Sequence, residues 1–151
     1  MTSSSRLLSP QHASPAQVVA QKRILVVDDE PTLRRIYSQI IQKAFPNAEL
    51  VVAENSLDAL AAYRKGRFDL VLSDNDMEQK GAGLALLRTL KSEDPNLRFI
   101  LMSGAFDDST INEANLNGVC ATLSKPFERE VLISAITSAL QATCQVESPM
   151  P

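Results

Sequence analysis

The sequence predicts an α/β fold: a single doubly wound parallel sheet of five strands, flanked by five helices on its two faces. Three observations predict it. Short apolar runs alternate five times with amphipathic segments, the pattern of repeated β–α units joined by right-handed crossovers. Those runs are almost continuously apolar, as in strands covered on both faces. Residues able to do chemistry stand where four of the runs stop: Asp28 with Asp29, Asp74, Ser103 and Lys125. In a parallel sheet the carboxyl ends of the strands share one edge, which is where open α/β sheets bind ligands.

The first strand is Arg23 to Val27, ending in Asp28-Asp29-Glu30. Pro31 suits the first position of a helix, where a missing N–H costs nothing. Leu33, Ile36, Tyr37, Ile40, Ile41 and Ala44 then recur at helical spacing, and Phe45-Pro46-Asn47 stops the helix. Glu49 to Ala53 is the second strand. Asn55 or Ser56 can cap the helix carrying Leu57, Leu60, Ala61 and Tyr63, which Gly66 closes. The third strand is built on Leu70-Val71-Leu72 and ends at Asp74. Glu78 to Gly83 is a loop. Leu84, Leu86, Leu87 and Leu90 make the third helix, which ends before Pro95. Arg98 to Met102 is the fourth strand, followed by Ser103-Gly104-Ala105. Asp107 to Asn117 is a weak, polar helix ended by Gly118. Val119 to Leu123 is the fifth strand, and Val131, Leu132, Ala135, Ile136 and Leu140 line the last helix.

The chain of 151 residues is 44% hydrophobic and 22% charged, enough for one core and little more. One domain over 22–142 is expected, between an N-terminal tail, 1–21, rich in Ser, Pro, Ala and Gln, and a flexible end, 143–151. The sole histidine, His12, falls in the first tail and has no partners for metal or base chemistry. A net charge of −3 argues against a general grip on nucleic acid. No apolar run is long enough to cross a membrane, and no secretory start is visible. Cys120 and Cys144 show neither metal-ligand spacing nor a disulfide framework, so Cys120 reads as a small core residue and the expected location is cytoplasmic.

The gathered residues define a chemistry. Asp28, Asp29 and Asp74 would repel one another in a partly dry cleft, raising the pKa of at least one. A divalent cation and Lys125 can relieve this. Oxygen ligands with room for water favour Mg2+, and an ammonium suits a phosphoryl group. Ser103 can donate to a phosphoryl oxygen, and an aspartate can itself carry phosphate. The set is built to place a phosphoryl group on Asp74, with Mg2+ and Lys125 neutralising its charge.

At these residues the chain resembles the response-regulator receiver domains of two-component signalling, from about Arg23 to Leu140. The resemblance rests on Ile24-Leu25-Val26-Val27-Asp28-Asp29-Glu30-Pro31, on Asp69-Leu70-Val71-Leu72-Ser73-Asp74 with Met77 behind it, on Met102-Ser103-Gly104-Ala105 and on Lys125-Pro126-Phe127. None is specific alone; the four in this order, each after a strand, are highly specific. The resemblance implies a flavodoxin-like sheet with Asp74 as phosphoacceptor. Asp28 and Asp29, with the backbone carbonyl of Asp76, would hold Mg2+. Ser103 would be the hydroxyl that moves toward the phosphoryl group, Lys125 the lysine that pairs with it, and the Lys125-Pro126 bond cis. It also implies a partner, a sensor histidine kinase or histidine phosphotransfer protein, that supplies phosphate from its own histidine. The downstream protein is unidentified, a homodimer is possible, and a signalling module rather than an enzyme is expected. No output module follows the last helix.

Several positions depart from the family pattern. Glu78 replaces the usual proline, the loop through Gly83 is one residue longer, and Thr122 stands where many receivers carry an aromatic ring. These departures support a rival reading, a degenerate receiver used for docking without phosphate. A phosphatase of the haloacid dehalogenase type is disfavoured, because its nucleophile lies on the first strand and its metal acids come late. Alone, Asp28 or Asp76 would read as a solvated turn residue. Asp58, Asp69, Asp107 and Asp108 read as surface residues, Tyr37 and Tyr63 as packing residues, and Arg34 and Arg35 as a solvated helix face.

Overall fold

The computed structural model describes residues 22–141. The two tails, His12 and Cys144 lie outside the described residues. The elements run β1 (Arg23–Val27), α1 (Pro31–Ala44), β2 (Glu49–Ala53), α2 (Ser56–Lys65), β3 (Leu70–Asp74), α3 (Ala82–Glu93), β4 (Phe99–Ser103), α4 (Asp108–Leu116), β5 (Ala121–Ser124) and α5 (Arg129–Gln141). The five strands form one parallel sheet in the order β2-β1-β3-β4-β5, as the alternating pattern predicts.

Strand pleating sorts the core into two layers. Ile24, Val26, Leu70, Leu72, Ile100, Met102 and Leu123 point to one face, where Tyr37 and Ile41 of α1 and Leu132 and Ile136 of α5 cover them. Leu25, Val27, Val71, Phe99 and Leu101 point to the other, under residues of α2, α3 and α4. β1, β3 and β4 are therefore sealed on both sides, which is why their sequences lack polar alternation. Among the described residues no helix is long and apolar enough to cross a membrane.

Some element ends differ from the sequence expectation. α3 begins at Ala82, so the end of the expected loop is already helical. β5 begins at Ala121, two residues late, because Val119 N–H and Cys120 N–H bond to Ala114 and Phe99 carbonyls in the approach to the strand. Cys120 packs against the core as expected, but it is also disulfide-bonded, which the sequence reading did not expect. A disulfide at a cysteine outside any spacing motif leaves no mark in the sequence.

The start of α3 is pressed against the end of β3. Gly83 N–H donates to the Asn75 carbonyl at 2.9 Å, and Leu84 N–H to the Asn75 side chain at 2.9 Å. A Cβ on Gly83 would stand 2.2 Å from the Asp74 carbonyl oxygen and 2.7 Å from Asn75 Cα. Both are backbone atoms and cannot rotate away. Gly104 faces open space at the next strand end. Gly83→Ala is therefore expected to destabilise the fold by about 2–3 kcal/mol through overpacking, and Gly104→Ala by less than about 1 kcal/mol. Urea unfolding of the two variants checks this; equal midpoints would contradict it.

Candidate functional site

Strand register assembles the site. Val27 pairs with Ser73, so Asp28 and Asp74, one residue further on, emerge side by side. Asp74 pairs with Met102, which puts Ser103 next along β4. Ser103 pairs with Ser124, and Lys125 follows. Residues up to 97 positions apart thus share one edge, across the point where the chain winds from β1 outward in both directions.

Lys125 Nζ lies 3.0 Å from Asp28 Oδ2 and 3.0 Å from Asp74 Oδ1. Asp28 is wholly buried, and Asp74 is nearly so, while Asp29 faces solvent. One ligand oxygen from each of these three carboxylates lies within 4.8 Å of the others, a spacing that fits one shared cation. The second Asp28 oxygen accepts from Glu30 N–H at 2.9 Å, which fixes the carboxylate's rotation. The open, solvent-facing member of the set leaves room for water ligands, as Mg2+ requires.

Burial is the largest influence on Asp74 and pushes its carboxyl up to about 6; Lys125 pulls it down, and Asp28 and Asp29 push it up further. The expected rise is present, with desolvation ahead of repulsion as its cause. Burial would lower the Lys125 ammonium, but its bonds to Asp28 and Asp74 outweigh that and hold it above its ordinary value.

Ser103 is buried, and its hydroxyl donates to Asp76 Oδ2 at 3.3 Å while accepting from Ala105 N–H at 3.0 Å. The other Asp76 oxygen accepts from Gly81 N–H at 3.1 Å. Gly81 has φ of 83°, a left-handed conformation that lets the loop turn into α3. Asp76 therefore knits the hydroxyl of β4 to the loop after β3, and is more than a turn residue. The Lys125-Pro126 bond is cis.

Four contributions to the site were not foreseen. Arg34 is not merely a solvated helix residue: its guanidinium donates to the Asp28 carbonyl at 2.7 Å. Its spacing six residues from Asp28 matches one helical return after a turn, a signal too common to single it out. Asn75 bonds to α3 across nine residues. Glu78 accepts from the Ser56 N–H and hydroxyl at the start of α2, pinning the loop that a proline would otherwise stiffen. Tyr37 stacks on Phe127 and stands beside Lys125. Of the aspartates read as surface residues, Asp107 caps α4 by accepting from Thr110 N–H at 2.8 Å, and Asp69 accepts from Arg23 N–H at 2.8 Å. Tyr63 donates to Asp94 at 2.5 Å.

The ionised Asp74 has a definite thermodynamic sign. Its pKa in the fold, about 6, exceeds the ordinary 3.8. The unfolded chain therefore releases this proton more easily, and ionisation weakens the fold as pH rises through 6. Asp74→Asn removes that charge but keeps an oxygen that can accept from Lys125. The variant is expected to be more stable than the wild type by about 1–2 kcal/mol near neutral pH, with the difference vanishing toward pH of about 4. Urea titrations at the two pH values, without divalent cations, check it. A variant less stable at neutral pH would contradict the assignment.

Comparison with known proteins agrees with this geometry. The family model for the response regulator receiver domain matches residues 24–137. A response regulator receiver protein of Anaeromyxobacter sp. (strain Fw109-5) is 32% identical over 105 residues, covering 70% of this chain and 43% of that longer protein. Sporulation initiation phosphotransferase F of Bacillus subtilis (strain 168) is 31% identical over 120 residues, covering 79% of this chain and 94% of the relative. The crystal structure of a response regulator receiver domain protein from Clostridium thermocellum superposes with a TM-score of 0.72 at 26% identity, over 80% of this chain and 94% of that one. With the acid cluster, the hydroxyl, the lysine and the five-stranded parallel sheet in place, the chain belongs to the response regulator receiver domains of two-component signalling.

Proposed function

We propose that this receiver domain is phosphorylated on Asp74 by a phosphohistidine and signals by altered partner binding. The observation that carries the proposal is the seating of Asp74. Its carboxylate touches the Lys125 ammonium at 3.0 Å and shares a cluster with two further carboxylates. In the proposed step an Asp74 oxygen attacks phosphorus, the P–N bond breaks, and its electron pair leaves with the donor imidazole. Water later cleaves the acyl phosphate and restores the carboxylate. Asp28, Asp29, Asp74 and the Asp76 carbonyl would hold Mg2+, which would neutralise charge on the transferring oxygens. Lys125 meets the same charge from the other side, and Ser103 offers a hydroxyl to a phosphoryl oxygen. The donor class is a sensor histidine kinase or a histidine phosphotransfer protein.

Incubation with Mg2+ and acetyl phosphate tests this directly. The wild type is expected to gain the mass of one phosphoryl group in an acid-stable, base-labile adduct, and Asp74→Asn is expected to gain none. No adduct on the wild type would favour a docking role without phosphate.

Asp76 adds a negative side chain near the acceptor and occupies the Ser103 donor. Asp76→Asn removes the charge and weakens that competition. The lifetime of phospho-Asp74 is expected to lengthen by about three- to tenfold. Decay followed by mass at intervals measures it; equal lifetimes would remove Asp76 from control of dephosphorylation.

A further inference from the structure

An ammonium has three protons to place. Two partners of Lys125 are the carboxylates of Asp28 and Asp74. On a further side of Nζ stands the Tyr37 ring of α1. The ring centroid lies 5.9 Å from Nζ, which puts the aromatic face and its phenol beside the ammonium. Burial pushes the phenol up; the neighbouring ammonium opposes it. Tyr37 is 5% exposed, so few other partners can reach it.

The ring is itself braced. It stacks on Phe127 with centroids 5.6 Å apart and planes 17° from parallel. Phe127 follows Pro126 in the loop that carries Lys125, so the stack fixes the loop as well as the amine. A recess of about 370 Å³, lined by Leu33, Ile36, Tyr37, Lys125, Pro126 and Phe127, borders the lysine stem. It offers space for the stem to swing away from the carboxylates. An aliphatic residue at position 37 would fill the core but could neither bond the amine nor stack on Phe127.

We propose that Tyr37 is the positioning residue for Lys125: its hydroxyl and its Phe127-braced ring hold the ammonium between Asp28 and Asp74, where it meets an incoming phosphoryl group. The proposal rests on Asp74 being the phosphoacceptor. It adds a requirement on α1 that lies outside the four strand-end motifs.

Tyr37→Phe deletes the hydroxyl and keeps the stack, so the fold is retained; Tyr37→Leu deletes both. With Mg2+ and acetyl phosphate, Tyr37→Phe is expected to be phosphorylated about tenfold more slowly than the wild type, and Tyr37→Leu more slowly still. Urea unfolding separates positioning from packing: Tyr37→Phe is expected to keep the wild-type midpoint while losing phosphorylation rate, whereas a packing role would lower the midpoint. The chain has two tyrosines and no tryptophan. Tyr63 is buried in the layer on the other side of the sheet, bonded to Asp94. Wild-type tyrosine fluorescence therefore follows Tyr37, and it is expected to change when Mg2+ and beryllofluoride, a phosphoryl mimic, set an anion against Lys125. Equal phosphorylation rates in the wild type and Tyr37→Phe, or a slower Tyr37→Phe whose urea midpoint has fallen to that of Tyr37→Leu, would overturn the positioning role and leave the Asp74 assignment standing. No adduct on the wild type would overturn both.

Discussion

The Lys125 ammonium between Asp28 and Asp74 is the contact on which the edge of the sheet depends. Two carboxylates side by side and withdrawn from water are costly, because each loses hydration and feels the other. A cation at 3.0 Å from both offsets much of that cost, and it can do so only because β5 delivers it there. Asp29 remains outside this pairing, facing solvent with its oxygen still close to the other two. The result is a site whose three carboxylates carry negative charge in excess of what one lysine neutralises. That residue of charge is what gives a divalent cation something to bind, and it adds to the burial that chiefly raises the Asp74 carboxyl.

The surrounding structure keeps those groups from relaxing apart. The Asp28 carboxylate is fixed by Glu30 N–H and the Asp28 carbonyl by Arg34. Asp74 is locked because the next residue, Asn75, anchors the start of α3 through both its backbone and its side chain. Gly83 permits that approach by having no Cβ to strike the Asp74 peptide. The loop after β3 is held at both ends, by Asp76 on Gly81 and by Glu78 on Ser56. Stability and site geometry are thus the same set of contacts, and loosening α3 would displace the acceptor.

How much of this was legible in the sequence follows from the range of each interaction. Apolar runs such as Leu70-Val71-Leu72 and Phe99-Ile100-Leu101 announce buried strands, and parallel pairing then brings their carboxyl ends together whatever lies between. Asp28, Asp29, Asp74, Ser103 and Lys125 could be placed that way because each is the last residue of a strand or lies within two residues of its end. Tyr37 could not. Its spacing from Leu33, Ile40 and Ile41 matches a core-facing helix position, and its polar end acquires meaning only when the loop after β5 reaches α1. Glu78 was legible as a departure but not as a replacement, since its partner Ser56 lies 22 residues earlier, at the start of α2. The Cys120 bond was illegible for the same reason that any single pair is.

Thr122 bears on how a change at Asp74 could travel. It pairs with Leu101 in the sheet and is only half-buried, with no ring to fill a pocket vacated by Ser103. Ser103, however, already has a polar tether. Its hydroxyl proton is committed to Asp76, and Asp76 is committed to the backbone that turns into α3. An anion on Asp74 would compete with Asp76 for that one proton, because a hydroxyl can donate only once. The 3.3 Å bond it would have to displace is long and therefore weak. Withdrawal of the hydroxyl leaves the Asp76 carboxylate less satisfied and closer to like charge, with Gly81 N–H as its remaining partner. If Asp74 carries the proposed phosphoryl group, the hydrogen bonds at hand would pass such a change through the Asp76 loop toward the start of α3.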